Sequence, residues 1–247
     1  MAILEAALSL SEFKRRITHE FLPLFCNHPS RGYDINGFTN NLSEIGESDA
    51  KNFLRAMDAG LVQLDEKGKL YKAPRTKEGE QLFWEFNRDA PVRKTSISVE
   101  VAITIATISV LHFDYGWPKG DLGTQSLHPF RGAIDVMAHI DSSHPDGYIA
   151  CEIKKDAAKT KELITDVINL GSKRAVNLQR KHKLYTTNRK VEALRYWRPP
   201  IFWALGPEGY GSVFKMAYAE DGIMTFEHGS PADLQYPVPA ALQASPR

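Results

Sequence analysis

The sequence predicts an α/β protein, a mixed central sheet flanked by helices with a smaller α+β unit ahead of it. Three observations point there. Residues 131–156 alternate apolar and polar side chains on two short runs separated by turn residues, the period of paired strands. Helical apolar spacing precedes and follows that pair, and residues 201–205, Ile-Phe-Trp-Ala-Leu, form the continuous apolar run that a strand buried on both faces needs. The first third of the chain instead combines short helical patterns with one turn-linked pair of strands.

A chain of 247 residues, 43% hydrophobic and 25% charged, suits two domains. We expect a unit over 1–90, a larger one over 91–230 and an extended Pro- and Ala-rich tail over 231–247. The formal net charge of +1 excludes no class of partner, but its distribution is uneven: residues 150–198 hold 13 Lys and Arg against 5 Asp and Glu. No stretch reads as a signal peptide or a membrane span; the most apolar segment, 97–113, is interrupted by Glu100 and by Thr and Ser. Cys26 and Cys151 lie far apart without metal-ligand spacing, so a reducing, cytoplasmic setting is expected.

In the first unit, residues 11–25 set Phe13, Ile17, Phe21 and Leu24 at helical spacing, and 34–42 suits a second short helix. A third helix is predicted with Ser48 as its N-cap, Phe53, Leu54 and Met57 as its apolar face and Gly60 as its stop. Residues 61–64 and 69–72 then flank Asp65-Glu66-Lys67-Gly68 as a hairpin. Residues 76–90 predict a connecting helix ended by Pro91.

Three short helices followed by a two-stranded wing resemble a winged helix-turn-helix domain, with the run 56–71 carrying most of the resemblance. It implies a third helix in the major groove of DNA, presenting Lys51, Asn52 and Arg55, with Lys67 and Lys69 on the wing. Glu47, Asp49 and Asp58 on that helix leave a protein-contact role equally open.

In the second unit, residues 96–113 predict a buried helix despite their β-branched content, with a strand as the rival reading because Ile97, Val99 and Val101 also alternate. A strand follows, in which Ile134, Val136, Ala138 and Ile140 alternate with Ala133, Asp135, Met137 and His139. After turn residues 142–147, the strand 148–154 puts Ile149, Cys151 and Ile153 on one face and Glu152 with Lys154 on the other. If the two strands are antiparallel neighbours, Asp135, Glu152 and Lys154 converge, and two close carboxylates call for a divalent cation that accepts hard oxygen ligands. Residues 157–183 predict one long or two successive helices with a basic face, and 212–218 with 223–226 a terminal hairpin turning at 220–222.

Ile134-Asp135 followed by Glu152-Ile153-Lys154 resembles the PD-(D/E)xK nuclease superfamily over roughly residues 94–205, with isoleucine in place of the motif's proline. The resemblance implies a restriction endonuclease-like fold. It implies Mg²⁺ or Mn²⁺ held by Asp135, Glu152 and the carbonyl of Ile153, with Glu100 as a further acidic group. Lys154 would orient or help deprotonate the attacking water, and the product would carry a 5′-phosphate. Lys159, Lys161, Lys173, Arg174, Arg180 and Lys181 would meet the substrate's phosphates.

The expected activity is a metal-dependent DNA endonuclease, a homodimer if both strands are cut together. It could act beside a protein partner in a defence or transposition system. The alternative is a non-catalytic DNA-binding regulator or assembly subunit that uses an inactive nuclease fold. His139 is expected to be a hydrogen-bonded structural residue, and His112, His128 and His144 lack zinc-ligand spacing. The four tryptophans read as packing residues, with Trp117 and Phe130 the two considered for base stacking.

Overall fold

The computed structural model describes residues 2–27, 33–65, 70–76, 79–86, 93–125, 129–130, 132–140 and 147–237. The N-terminal segment forms α1 (Ala2–Arg16), continues through a π-helical turn, Ile17–Phe21, and ends in α2 (Leu22–Cys26). Residues 34–42 do not make the expected second helix. The Asp34 side chain accepts the Asn36 amide, and Asn41 pairs through its side chain with both backbone groups of Ile97, so this stretch holds only 3-10 turns at Ile35–Gly37 and Leu42–Glu44.

The third predicted helix is α3 (Glu47–Asp58), but Ser48 is not its cap. The exposed amides at its start are met by a carboxylate from far along the chain: Glu208 accepts from Asp49 N (3.1 Å) and Ser48 N (3.4 Å). Glu208 N in turn donates to Asp49 Oδ2 (2.9 Å). Asp49, Ala50, Asn52, Phe53, Leu54 and Ala56 are all buried, because α3 packs against α1 on one side and the later helix α4 on the other.

The expected hairpin is present as β1 (Gln63–Leu64) against β2 (Leu70–Lys72); Lys67, Gly68 and Lys69 lie outside the described residues. The described part of the window 76–90, chiefly residues 79–86, is not a helix, and the rest of it lies outside the described residues. Residues 79–86 give β3 (Glu80–Gln81), paired with β2, and β4 (Phe83–Phe86), paired antiparallel with β5 (Lys94–Ile97). Gly79 disfavours a helix, and its Cβ-less backbone lets β3 approach β2, where an added Cβ would lie 2.8 Å from Tyr71 O.

Helix α4 (Val99–Phe113) starts one turn later than predicted, because Ser98 serves as N-cap and accepts from Val101 N. It is buried almost all round, and that burial outweighs the weak helix propensity of its Val, Ile and Thr residues.

The main sheet has six strands in the order β11-β10-β9-β8-β7-β6. They are β6 (Leu122–Thr124), β7 (Val136–Ala138), β8 (Ile149–Ile153), β9 (Ile201–Leu205), β10 (Gly211–Tyr218) and β11 (Met224–His228). All neighbours are antiparallel except β8 and β9, joined in parallel through a crossover containing α5 (Ala157–Gly171) and α6 (Tyr185–Trp197). Side chains alternate between two cores. Val136, Cys151, Ile153 and Trp203 pack with α4, whereas Met137, Ala150, Phe202 and Phe214 pack with Leu163, Val167, Val191 and Leu194 of α5 and α6. The sheet is thus covered on both faces.

The α4-side core runs from Phe13 and Phe53 to Leu234, so residues 1–90 share it with the main sheet. The segment after 230, expected to be extended, begins as a 3-10 turn, Pro231–Leu234, because Leu234 is buried and its carbonyl accepts Trp117 Nε1 (2.7 Å). Residues 238–247 lie outside the described residues. Among the described residues no helix is long and apolar enough to cross a membrane.

Candidate active site

The strand that supplies the first carboxylate is shorter than its alternation suggested. Ala133 and Ile134 both enter the α5-side core after a turn at Gly132 (φ +65°), and pairing begins only at Val136. Asp135 therefore stands at the mouth of β7. Continuing the β7–β8 register by one residue sets it across from Glu152. The structure brings the three motif residues together: Ile153 N donates to Asp135 Oδ2 (2.7 Å), and Lys154 Nζ donates to Glu152 Oε1 (2.7 Å) and to Ile153 O (2.6 Å).

These groups open onto a cleft of about 420 Å³. Its walls come from four elements, with Glu100 on α4, Asp135 and Glu152 on the sheet, Lys159, Glu162 and Asp166 on α5, and Lys183, Thr186 and Lys190 before and on α6. Glu100 Oε1 accepts from Lys155 N (3.3 Å), so the first turn of α4 reaches the cleft edge as expected.

Two participants were not anticipated. Lys190 is 8% exposed, and its Nζ lies 2.5 Å from Glu152 Oε1 and 3.1 Å from Ala133 O. A signal for it existed, because Lys190, Leu194 and Trp197 share one helical face at i, i+4 and i+7, and the latter two are core residues. Glu80, delivered by β3, is buried and hydrogen-bonded to Gln125, whose backbone N–H donates to Asp135 O (2.8 Å). Gln125 holds a left-handed backbone conformation (φ +58°), unusual for a residue with a Cβ. No periodicity in the sequence places Glu80 near Asp135.

Electrostatics divide the carboxylates. Burial opposes ionisation of Glu152, yet the ammonium groups of Lys190 and Lys154 outweigh it and hold the carboxyl below its ordinary value. Burial and the neighbouring Glu152 charge push Asp135 well above its ordinary value, against the pull of the two lysines and the Ile153 amide. Burial disfavours the charged form of Lys154, but Glu152 and Asp135 prevail and keep it protonated. Glu152 Oε2 is buried without a hydrogen-bond partner.

The other expected contacts are distributed differently. Arg55 turns towards α4, with its guanidinium 4.4 Å from the centre of the Phe113 ring and 3.3 Å from Asp114, and Asn52 is buried. The helical run expected over 157–183, as one long or two successive helices, is realised only in its first half: α5 stops at Gly171, where a Cβ would collide with Met224 and Phe226, and residues 172–184 run on without helical structure. Arg195 pins that run by donating to Leu170 O and Lys173 O. Lys173, Arg174 and Lys181 are exposed on it, Arg174 paired with Asp221 (3.5 Å), and Lys159 pairs with Glu162 (2.7 Å).

Trp117 is fully buried and unavailable to a base, Trp84 is 59% exposed rather than packed, and Phe130 packs at a tilt against Tyr196 and edge to face against Trp197. His139 is buried, His112 Nδ1 contacts Trp117 O (2.7 Å), and His128 and His144 lie outside the described residues.

Among the described residues no three His, Cys, Asp or Glu side chains gather closely enough to hold a metal by themselves. Beside Glu100, Glu162 and Asp166 on its walls, the cleft offers the facing carboxylates of Asp135 and Glu152, with one orphaned oxygen at Glu152, and the Ile153 carbonyl lies next to them, where it accepts from Lys154. That hard oxygen set fits Mg²⁺ or Mn²⁺ supplemented by water and substrate oxygens. Comparison with family models, curated proteins and solved structures finds no match.

Proposed function

We propose that this protein is a metal-dependent phosphodiesterase acting on DNA, with a restriction endonuclease-like core formed by α4, β6, β7, β8, α5 and β9. The observation behind the reading is the meeting of Asp135, Glu152 and Lys154 at the end of two antiparallel strands, in a cleft large enough for a phosphodiester. The exposed run 172–184 supports it. Lys173, Arg174, Arg180, Lys181 and Lys183 lie there without an acidic residue, and Lys183 lines the cleft.

In this reading Asp135, Glu152 and the Ile153 carbonyl hold a divalent cation, which supplies Lewis-acid polarisation of the phosphoryl oxygens and acidifies bound water. The chain's own part follows from its protonation states. Lys154, kept charged by its carboxylate neighbours in the free protein, would orient the attacking water and stabilise negative charge on a phosphoryl oxygen. Burial and the Glu152 charge disfavour ionised Asp135, and a cation held there would favour it.

The third helix followed by a hairpin supports a winged-helix-like unit, although residues 34–42 supply no second helix. With α3 enclosed between α1 and α4, we do not assign that helix to a DNA groove.

Supercoiled plasmid incubated with Mg²⁺ or Mn²⁺ tests the activity. The wild type should nick or cut it, while Asp135→Asn and Lys154→Met, with unchanged circular dichroism, should lose at least about 10²-fold in rate. Wild-type-like cutting by either variant would remove the proposed site, and DNA retention without cutting under any cation would favour a non-catalytic binder.

A further inference from the structure

Glu152 Oε1 receives two ammonium groups, Lys154 from its own strand and Lys190 from α6, while its Oε2 receives none. Lys190 is fixed in place by Ala133 O, on the turn that leads into Asp135. With both acids ionised, Asp135 and Glu152 are balanced by Lys154 and Lys190, while Glu100, Glu162 and Asp166 stand with Lys159 and Lys183 elsewhere on the cleft wall. A divalent cation entering alone would set two further positive charges beside the two ammonium groups in a poorly solvated place, whereas a cation arriving with a phosphodiester would set a net one there. Like charges a few ångströms apart in such surroundings repel strongly.

We propose that Lys190 is a resident counter-ion, a positioning residue that keeps the free protein's cation affinity low and makes cation and phosphodiester binding interdependent. The ammonium holds Glu152 in its binding orientation while the cleft is empty, sparing a buried carboxylate from standing unpaired. When phosphate oxygens enter, Lys190 gains a second anionic partner, and the carboxylate can be shared with a cation. Because α6 follows directly on the basic run 172–184, contact of that run with a nucleic-acid backbone lies within about two helical turns of the residue that governs cation entry.

This inference rests on the phosphodiesterase reading, and its test separates the two. Mn²⁺ alone is titrated calorimetrically into wild type, Lys190→Gln, Lys190→Met and Asp135→Asn, with thermal melts verifying the fold. Lys190→Gln keeps a donor for Ala133 O and loses the charge. Both uncharged variants should bind Mn²⁺ roughly tenfold or more tightly than wild type. Equal or weaker binding overturns the counter-ion role. A second measurement needs no variant: wild-type Mn²⁺ affinity should rise when a short duplex DNA is already bound, and absence of that coupling also overturns it. If Mn²⁺ binds no form of the protein, or binds Asp135→Asn as well as wild type, the cation site itself fails and the inference with it. If Asp135→Asn loses Mn²⁺ while Lys190→Gln matches wild type, the cation site stands and only the inference falls.

Discussion

Glu80 shows how one buried side chain can make stability depend on pH. Burial raises its carboxyl, the Gln125 hydrogen bond opposes that, and the charges of Glu152 and Glu100 add to it, with the result pushed up to about 7 from an ordinary 4.5. The folded protein binds this proton more tightly than the unfolded chain does. The associated stability is therefore complete below about pH 4.5 and is lost as pH rises through about 7. Glu80→Gln should be more stable than wild type by roughly 2 kcal/mol at pH 8, with the gap closing near pH 5, as read by urea unfolding at both values. A gap independent of pH would disprove the assignment. Local sequence could show Asp135, Glu152 and Lys154, because a two-residue period commits Glu152 and Lys154 to one side of a strand. It could not show Glu80, which comes near the site only because the turn after β2 docks beside β6: Thr76 Oγ1 accepts from Thr124 N, and Arg75 N donates to Leu122 O.

Among the elements, α3 was legible as a helix and misread in its surroundings. An apolar stripe predicts one buried face, but α3 is enclosed on two sides, and the partner that caps it lies 159 residues away in sequence. That cap is measurable. Glu208→Ala should cost about 1 kcal/mol in urea unfolding. At Gly46 an added Cβ would lie 2.1 Å from Glu208 Oε1, so Gly46→Ala should expel the same carboxylate and destabilise by a similar amount. The double variant should then cost little more than either single change, whereas full additivity would show that Glu208 does not cap α3. Residues 76–90 failed differently. Their charged positions and the Leu82-Phe83 pair mimic a helical period, and only pairing with β2 and β5, which lie just outside that window, makes 80–81 and 83–86 strands. The 201–205 run and the terminal hairpin were read correctly because each is specified locally, the hairpin by its turn at Gly222 (φ +79°).

Across the whole molecule, the helices of residues 1–90 and the main sheet draw on one continuous core, in which Phe13 meets Phe53 edge to face and α3 lies along α4. Such sharing predicts one cooperative unfolding transition, with tryptophan fluorescence and far-ultraviolet dichroism superimposed in urea. Two separated transitions would mean that the first 90 residues hold together by themselves.

The parallel pairing of β8 with β9 also governs when the cleft comes into being. Asp135 and Glu152 leave the ribosome well before Lys190, and β8 gains its second neighbour only once Leu205 has emerged and the whole excursion through α5 and α6 has folded back. A nascent chain halted before that point holds its acidic pair on a strand with one bare edge and without the α6 ammonium, so the complete charged cluster is a late product of synthesis.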